Sequence, residues 1–455
     1  MPGGPRPLIS QGRMREAMPQ AKVAVIGAGS YVFGASILQQ AFVEHRLDGL
    51  ELALMDVHPE VVGLMGRVGQ RLARELGLRS RVSVHTDRDA ALDGADFVLC
   101  AAAAELRRRL EMDCDIVARL CPGHWVTEFG GVAGISYSLR QIALVTGLAE
   151  AMKRRCPSAW LLNSANPLPR VCQAAHECGV RTAGFCSVAV GGLSGVWHLL
   201  HGKHLPWPPT RAEEAWNATM AGVNHFSWLV GLRDKATGAD LLPELRRRIA
   251  ASGNSSRSFA LARETGYLPM SGDSHIRDFL EPLGPAPRDQ SLHHGTAEER
   301  EARLALLRDV ADGRCACDPL FEHPAWERPM DLVAAMAFSR PCHFHALNLI
   351  NDGQVPGLPR GVFVETPAEG TPSGPVPQAV ELPASVLPYG ERTARVTDAI
   401  VRAAAARSRR LLREAVELDP TILDKRAGLE AVNACLEAHA DLLPAFGGPP
   451  RAAGR

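Results

Sequence analysis

Three observations predict an α/β protein, with a doubly wound parallel sheet in the N-terminal part and a mixed α+β part after it. Short apolar runs alternate with segments of helical spacing, a glycine turn joins the first run to the first helical segment, and the second run ends in an acid. The chain has 455 residues, more than a single hydrophobic core normally supports, so more than one unit is expected. The expected division is a flexible tail over 1–21, the parallel α/β unit over 22–190 and the α+β unit over 191–455.

The first 21 residues mix Pro, Gly and charge without periodicity. From Lys22, "KVAVIGAGS" reads as a strand running into glycines, and "GASILQQAFVEHRL" as a helix. "LELALMD" reads as a second strand, "VVGLMGRVGQRLARELG" as a helix, and "ADFVLCAAA" and "AWLLNSANP" as further strands. "FGGVAG" (Phe129 to Gly134) marks a helix start, and "RTAGFCS" another strand end. Beyond it, "ELRRRIAAS" and "AEEREARLALLRDVADG" read as helices, "EPLGPAPRDQSLHHG" (Glu281 to Gly295) as an irregular loop and "GVFVETP" as a strand. "ERTARVTDAIVRAAAARSRRLLREAVE" and "KRAGLEAVNACLEAHADLL" are the closing helices. There is no internal repeat.

Fifty basic and fifty acidic residues balance, which removes the electrostatic reason to expect nucleic acid or an anionic membrane as partner. No apolar run approaches the roughly 20 residues that span a bilayer, and residues 1–21 lack a secretory h-region. A cytoplasmic location is expected. Its reducing conditions would leave the eleven cysteines as thiols. Cys315 with Cys317, and Cys172 with Cys178, lack a second pair at zinc-site spacing and read as structural.

Gly27 and Gly29 lie where the first strand turns into the first helix, the place where a dinucleotide pyrophosphate rests on backbone amides, and Ser30 adds a hydroxyl. The next glycine is late, at Gly34, but the order strand, turn, helix, strand and acid is that of a Rossmann-type fold. Asp56 closes the second strand 27 residues after Gly29, placed to accept from both ribose hydroxyls and to repel a 2′-phosphate. NAD is therefore expected over NADP.

Ligands of an open parallel sheet gather beyond the carboxyl ends of its strands. Asn166 and Cys186 end two strands there, and His225 follows in "MAGVNHFSWL". Cys186 is either a buried packing thiol or a ligand. A thiolate and an imidazole with open positions could hold a divalent ion against substrate oxygens.

The ordered set "GAGS", "EFGGVAGISYSLR", "NSANP", "GFC", "GVNHFSW", "GDSHIRDFL", "INDGQVPGLPRGVFVETP" and "LDPT…LLPAF" resembles the NAD- and manganese-dependent family 4 glycoside hydrolases, from about Lys22 to Phe446. The resemblance implies a sheet shared with lactate and malate dehydrogenases and a homodimer or homotetramer. It implies Cys186 and His225 as manganese ligands, Asn166 and Asn224 as contacts to a small glycoside substrate, and Glu128 near sugar and nicotinamide. It also implies oxidation of sugar carbon 3 by NAD, loss of the carbon 2 proton, elimination of the glycosidic oxygen, water addition and re-reduction. The "GYLPMSGDSHIRDFL" stretch resembles the branch acting on unphosphorylated α-galactosides and uronides.

Where the family commonly has histidine or aspartate after the metal cysteine, this chain has Ser187, a poor general acid. Tyr267 is a candidate base, with Asp273 and His275 as rivals for acid and base roles. Asp113 sits where the family often has an acid, and the run Arg107 to Arg109 is a solvated helix face or an anion clamp for an acidic sugar. His343 and His345 share one side of a strand without a third ligand and read as structural. Ser187 motivates an alternative, a net NAD-dependent sugar dehydrogenase or epimerase, and a non-enzymatic sugar or NAD sensor is a third reading.

Overall fold

The computed structural model describes residues 20–446, apart from 32, 207, 287–295 and 323–326. Residues 1–19 of the expected tail and 287–295 of the expected loop lie outside the described residues.

Twelve strands form one sheet. The first six are β1 (Ala21–Ile26), β2 (Leu50–Met55), β3 (Arg81–His85), β4 (Phe97–Cys100), β5 (Trp160–Asn163) and β6 (Arg181–Gly184). They pair in parallel in the order β3-β2-β1-β4-β5-β6, the order of dinucleotide-binding folds. The interior strands β1 and β4 are apolar because helices cover both faces. Sequence reading passed over β3, whose short, polar, half-exposed pattern suits a sheet edge.

The remaining strands are β7 (Trp216–Val223), β8 (Phe226–Asp234), β9 (Leu268–Pro269), β10 (Cys342–Ile350), β11 (Phe363–Thr371) and β12 (Gly374–Pro377). They extend the same sheet antiparallel from β6, in the order β10-β11-β7-β8-β9, with β12 on β11. The mixed α+β part is thus joined to the parallel part edge to edge.

The two parts also share cores. On one face, helix Gly131–Arg155 packs with helices Leu387–Ala406, Arg409–Leu418 and Lys425–Ala438; on the other, helix Pro59–Glu75 and helix Pro329–Phe338 lie in one cluster. The stretch read as one long closing helix breaks at Arg407, whose φ is +49°, and restarts behind the Ser408 cap. Likewise "GASILQQAFVEHRL" changes from α-helix to a π turn at Gln39–Glu44.

Helix Gly131–Arg155 corrects one expectation, since it is long and apolar enough to cross a membrane. Its burial has another cause: it lies at the centre of the larger core, with Arg140 bound to Asp113 at 2.7 Å and both side chains buried.

Candidate active site

A single row of register partners crosses ten strands: His85, Met55, Ile26, Cys100, Asn163, Gly184, Asn348, Glu365, Gly222 and Ser227. The first six end the parallel strands, so the row is the carboxyl edge of that sheet. Seven expected binding residues lie one to three positions beyond it: Gly27, Gly29 and Asp56 after β1 and β2, Asn166 after β5, Cys186 after β6, and Asn224 and His225 after β7; Ser30 lies four beyond it, and Glu128 comes from the loop before helix Gly131–Arg155.

Gly27 has a φ of +89°, open to glycine without strain. The Gly29 amide donates to Asp56 Oδ2 at 2.9 Å, and a Cβ on Gly29 would sit 2.7 Å from that oxygen. His58 donates its amide to Asp56 Oδ1 at 3.0 Å, so the acid is pinned against the glycine turn. Ser30 Oγ accepts from the Phe33 amide at 3.2 Å and keeps its own proton to give. Between β1 and β4, where strand order reverses, a pocket is lined by Gly27, Ser36, Ala101, Ser164 and Glu327. A glycine cradle with a side-chain acid at this switch point fits a dinucleotide.

His225 turns the β7–β8 hairpin with φ +66°, and its carbonyl accepts from Ser271 Oγ at 2.6 Å. Its imidazole is buried, with Nδ1 unbonded within the described residues, 4.3 Å from the Phe129 ring and 4.7 Å from His275. Burial, and then His275, hold its pKa well below the usual value, so the ring is neutral and able to ligate. Asn224 lies close enough to the Cys186 thiol to favour its thiolate, which brings Cys186 beside this hairpin. Burial, then Glu365 and Glu327, push that thiol's pKa up, so a thiolate there needs a cation. Among the described residues no three His, Cys, Asp or Glu side chains cluster as a metal cage. Cys186 offers a sulfur donor and His225 a neutral nitrogen donor, and Asn224 Oδ1 is without a partner among the described residues; this donor chemistry fits a divalent transition metal.

Asn166 donates to Glu128 Oε2 at 3.2 Å. Burial pushes Glu128 up to about 7 against that hydrogen bond. The adjacent Phe129 amide donates to Asp278 Oδ2 at 3.1 Å; burial pushes Asp278 up to about 8. Sequence reading quoted Asp278 within "GDSHIRDFL" without assigning it.

Two candidates have partners away from the hairpin tip. Tyr267 precedes β9, whose Leu268 pairs with Leu229, so it runs beside Val230, about 13 Å of strand from the hairpin tip. Its ring carries the Arg246 guanidinium at 4.6 Å. Asp273 accepts from the amides of Arg257 and Ser258 at 2.8 and 2.9 Å, at the start of helix Arg257–Thr265. Burial would raise its pKa, but these bonds outweigh it and lower the value, which suits an ionised cap rather than an acid. His275 alone of the three reaches His225, and burial followed by Arg277 lowers its pKa.

Glu365 was legible only as an acid inside an apolar strand. It is buried, and accepts from Asn224 Nδ2 at 3.1 Å, Asn348 Nδ2 at 2.9 Å and Ser227 Oγ at 2.5 Å. Asp113 binds Ser136, Arg140 and His439 in the core and is structural here. The arginine run is neutralised locally: Arg108 and Arg109 pair with Glu105, Arg109 also with Asp441, and Arg107 with Glu111. His343 pairs with Glu369 at 2.7 Å.

A doubly wound sheet with a glycine turn at its switch point, and a thiol, imidazole and amides at the same edge, defines a dinucleotide-binding enzyme of the α/β class. Residues 22–201 match the family described as family 4 glycosyl hydrolase, and residues 220–422 match the family 4 glycosyl hydrolase C-terminal domain. The chain belongs to this family. It is 24% identical to an alpha-galactosidase of Bacillus subtilis, over 93% of this chain and 99% of that protein. It is also 24% identical to an alpha-glucosidase of Erwinia rhapontici, over 90% of this chain and 96% of that protein. A solved 6-phospho-alpha-glucosidase from gut microorganisms, in complex with NAD and Mn2+, has the same fold with a TM-score of 0.76, 22% identity and coverage of 94% of this chain and 99% of that one.

Proposed function

We propose that the chain hydrolyses an unphosphorylated α-glycoside or glycuronide with NAD and manganese, or another divalent metal, as cofactors. The observation that carries this reading is the row of ten register partners, beyond which the glycine turn, Asp56, Asn166, Cys186, Asn224 and His225 all fall. The names of the two relatives support an unphosphorylated substrate, as does an arginine run whose charges are met by Glu105, Glu111 and Asp441.

When bound, NAD supplies reversible oxidation at sugar carbon 3, and the metal polarises the oxygens of carbons 2 and 3. The glycine turn from Gly27 to Gly29 would let the dinucleotide approach the backbone closely, the Ser30 hydroxyl would donate to it, and Asp56 would accept from its ribose. Cys186 and His225 hold the metal. Asn166, held by Glu128, and Asn224, held by Glu365, orient the sugar hydroxyls. His275, neutral at pH 7 and beside His225, accepts the carbon 2 proton.

The test is sugar release from a panel of nitrophenyl α- and β-glycosides and glycuronides, under reductant, omitting NAD and manganese in turn. Release that needs both, with NADH near zero, supports a hydrolase. NADH that accumulates without sugar release supports the dehydrogenase or epimerase reading that Ser187 motivates. Assembly as a homodimer or homotetramer in the cytoplasm is part of the same proposal, and light scattering tests the assembly.

A further inference from the structure

Ser187 is a weak acid by itself, but it is not alone. Its hydroxyl donates to Glu327 Oε1 at 2.8 Å, from the N-cap of helix Val188–His201. Glu327 lines two cavities at once: the pocket with Gly27, Ala101 and Ser164, and a larger one with Cys186 and Val190. Its backbone is fixed on the nucleotide side, because its carbonyl accepts from Gln40 Nε2 at 3.0 Å. A carboxyl group therefore stands in the wall between the cofactor pocket and the cavity beside the metal cysteine, bonded to the one hydroxyl that follows that cysteine. None of the roles proposed above uses it.

We propose that Glu327 supplies the proton for the leaving glycosidic oxygen and delivers it through the Ser187 hydroxyl. This rests on the hydrolase reading above. Protonation of Glu327 reverses its hydrogen bond with Ser187 and frees the hydroxyl proton: as the bond between carbon 1 and the leaving oxygen breaks, that oxygen takes the Ser187 proton, and Ser187 takes the proton of the Glu327 carboxyl. When water adds to carbon 1 the two transfers run in reverse: water gives a proton to Ser187 and Ser187 returns one to Glu327. Each turnover moves one proton out and one back, with no other reactant.

Lys235, Arg328, Asp331, His343 and His345 face the same cavity and would shape any pH profile, so leaving-group dependence is the sharper readout. The probes are the 4-nitrophenyl and methyl glycosides of the sugar released in the panel, with NAD affinity measured in parallel. A nitrophenolate leaves with little protonic help, whereas methoxide needs a full proton. Glu327→Gln is expected to lower kcat/KM on the methyl glycoside by about 100-fold and on the nitrophenyl glycoside by only a few-fold. Ser187→Ala is expected to give the same split, and the double variant to be no worse than either single one, as for two members of one relay. Unchanged activity in Glu327→Gln, or equal losses on both probes with NAD affinity kept, would overturn the relay alone. A wild-type chain that releases no sugar would overturn the hydrolase reading and the relay with it. Glu327→Asp, which keeps the carboxyl on a shorter stem, separates proton supply from packing: partial recovery on the methyl glycoside is expected, and recovery equal in Glu327→Ala would overturn the proposal.

Discussion

Asn348 on β10 and Glu365 on β11 are register partners, and the amide of one donates to the carboxylate of the other over 2.9 Å. The same carboxylate takes the Asn224 amide at 3.1 Å and the Ser227 hydroxyl at 2.5 Å. Three donors thus converge on one buried carboxyl group, whose pKa burial raises against those bonds, and the Oδ1 atoms of Asn224 and Asn348 are left without partners among the described residues. A buried acceptor so arranged fixes which face each amide presents.

Glu365→Gln keeps one acceptor oxygen for the two asparagine amides and sets an NH2 group against the Ser227 hydroxyl, so that bond must reverse or break. The expected cost is about 1–3 kcal/mol of stability. Because Glu365 holds Asn224, which neighbours both His225 and the Cys186 thiol, manganese affinity is expected to fall by about 10- to 100-fold, as when an outer-shell partner of a ligand is removed. Calorimetric titration with manganese, beside a melting curve, separates the two effects; an unchanged manganese affinity would deny Glu365 its part in the site.

Gly29→Ala tests the cradle. A methyl group at 2.7 Å from Asp56 Oδ2 must push the acid from the ribose position. NAD affinity is expected to fall at least tenfold by fluorescence titration. Asp56→Ala should weaken NAD as well and narrow any gap between NAD and NADP, since the repulsion of a 2′-phosphate goes with the charge.

The parallel half, apart from β3, was legible because its strands are apolar and four of them are followed by a residue that packing does not explain: glycine after β1, Asp56 after β2, Asn166 after β5, Cys186 after β6. Periodicity reports which residues are buried, and in a sheet covered on both faces that is nearly all that is needed. What it does not report is which strands are neighbours. Asn348 and Glu365 became site residues only when β10 and β11 inserted between β6 and β7, some 140 residues away in sequence from Asn224. Glu327 likewise met Ser187 across 140 positions. Tyr267 shows the opposite effect: it lies eight residues from His275 in sequence, but an extended segment carries it away from the hairpin tip.

Asp278 makes a pH prediction. Burial pushes its pKa up to about 8, whereas an unfolded aspartate titrates near 3.9. Between about pH 4 and pH 8 the folded chain keeps a proton that the unfolded chain has released, so this group's contribution makes stability fall as pH rises through that window and level off above it. Glu128, pushed up to about 7, adds in the same direction. Asp278→Asn keeps an oxygen for the Phe129 amide and has no proton to lose. Denaturation by urea at pH 5, 7 and 9 should give a variant whose stability relative to wild type rises with pH, by on the order of a few kcal/mol across the range. A difference independent of pH would mean that Asp278 is ionised in the folded chain throughout.

The identity of the base is decided by a pair of variants. Ser271 Oγ donates to the His225 carbonyl at 2.6 Å, and the Met270 amide to the Ser227 carbonyl at 2.8 Å, so the segment after β9 runs toward the hairpin tip and delivers His275 there. Tyr267 stays at the other end, beneath the Arg246 guanidinium. His275→Ala is expected to lower kcat by at least 100-fold, the usual range for removing a general base. Tyr267→Phe keeps the ring and its cation–π contact and is expected to leave kcat within about twofold. Exchange of the carbon 2 proton with deuterated solvent gives an independent readout, slowed in the first variant and normal in the second. If Tyr267→Phe instead abolishes exchange while His275→Ala preserves it, the phenol reaches the sugar after all, and the segment from Tyr267 to Ser271 must close over the hairpin when substrate binds.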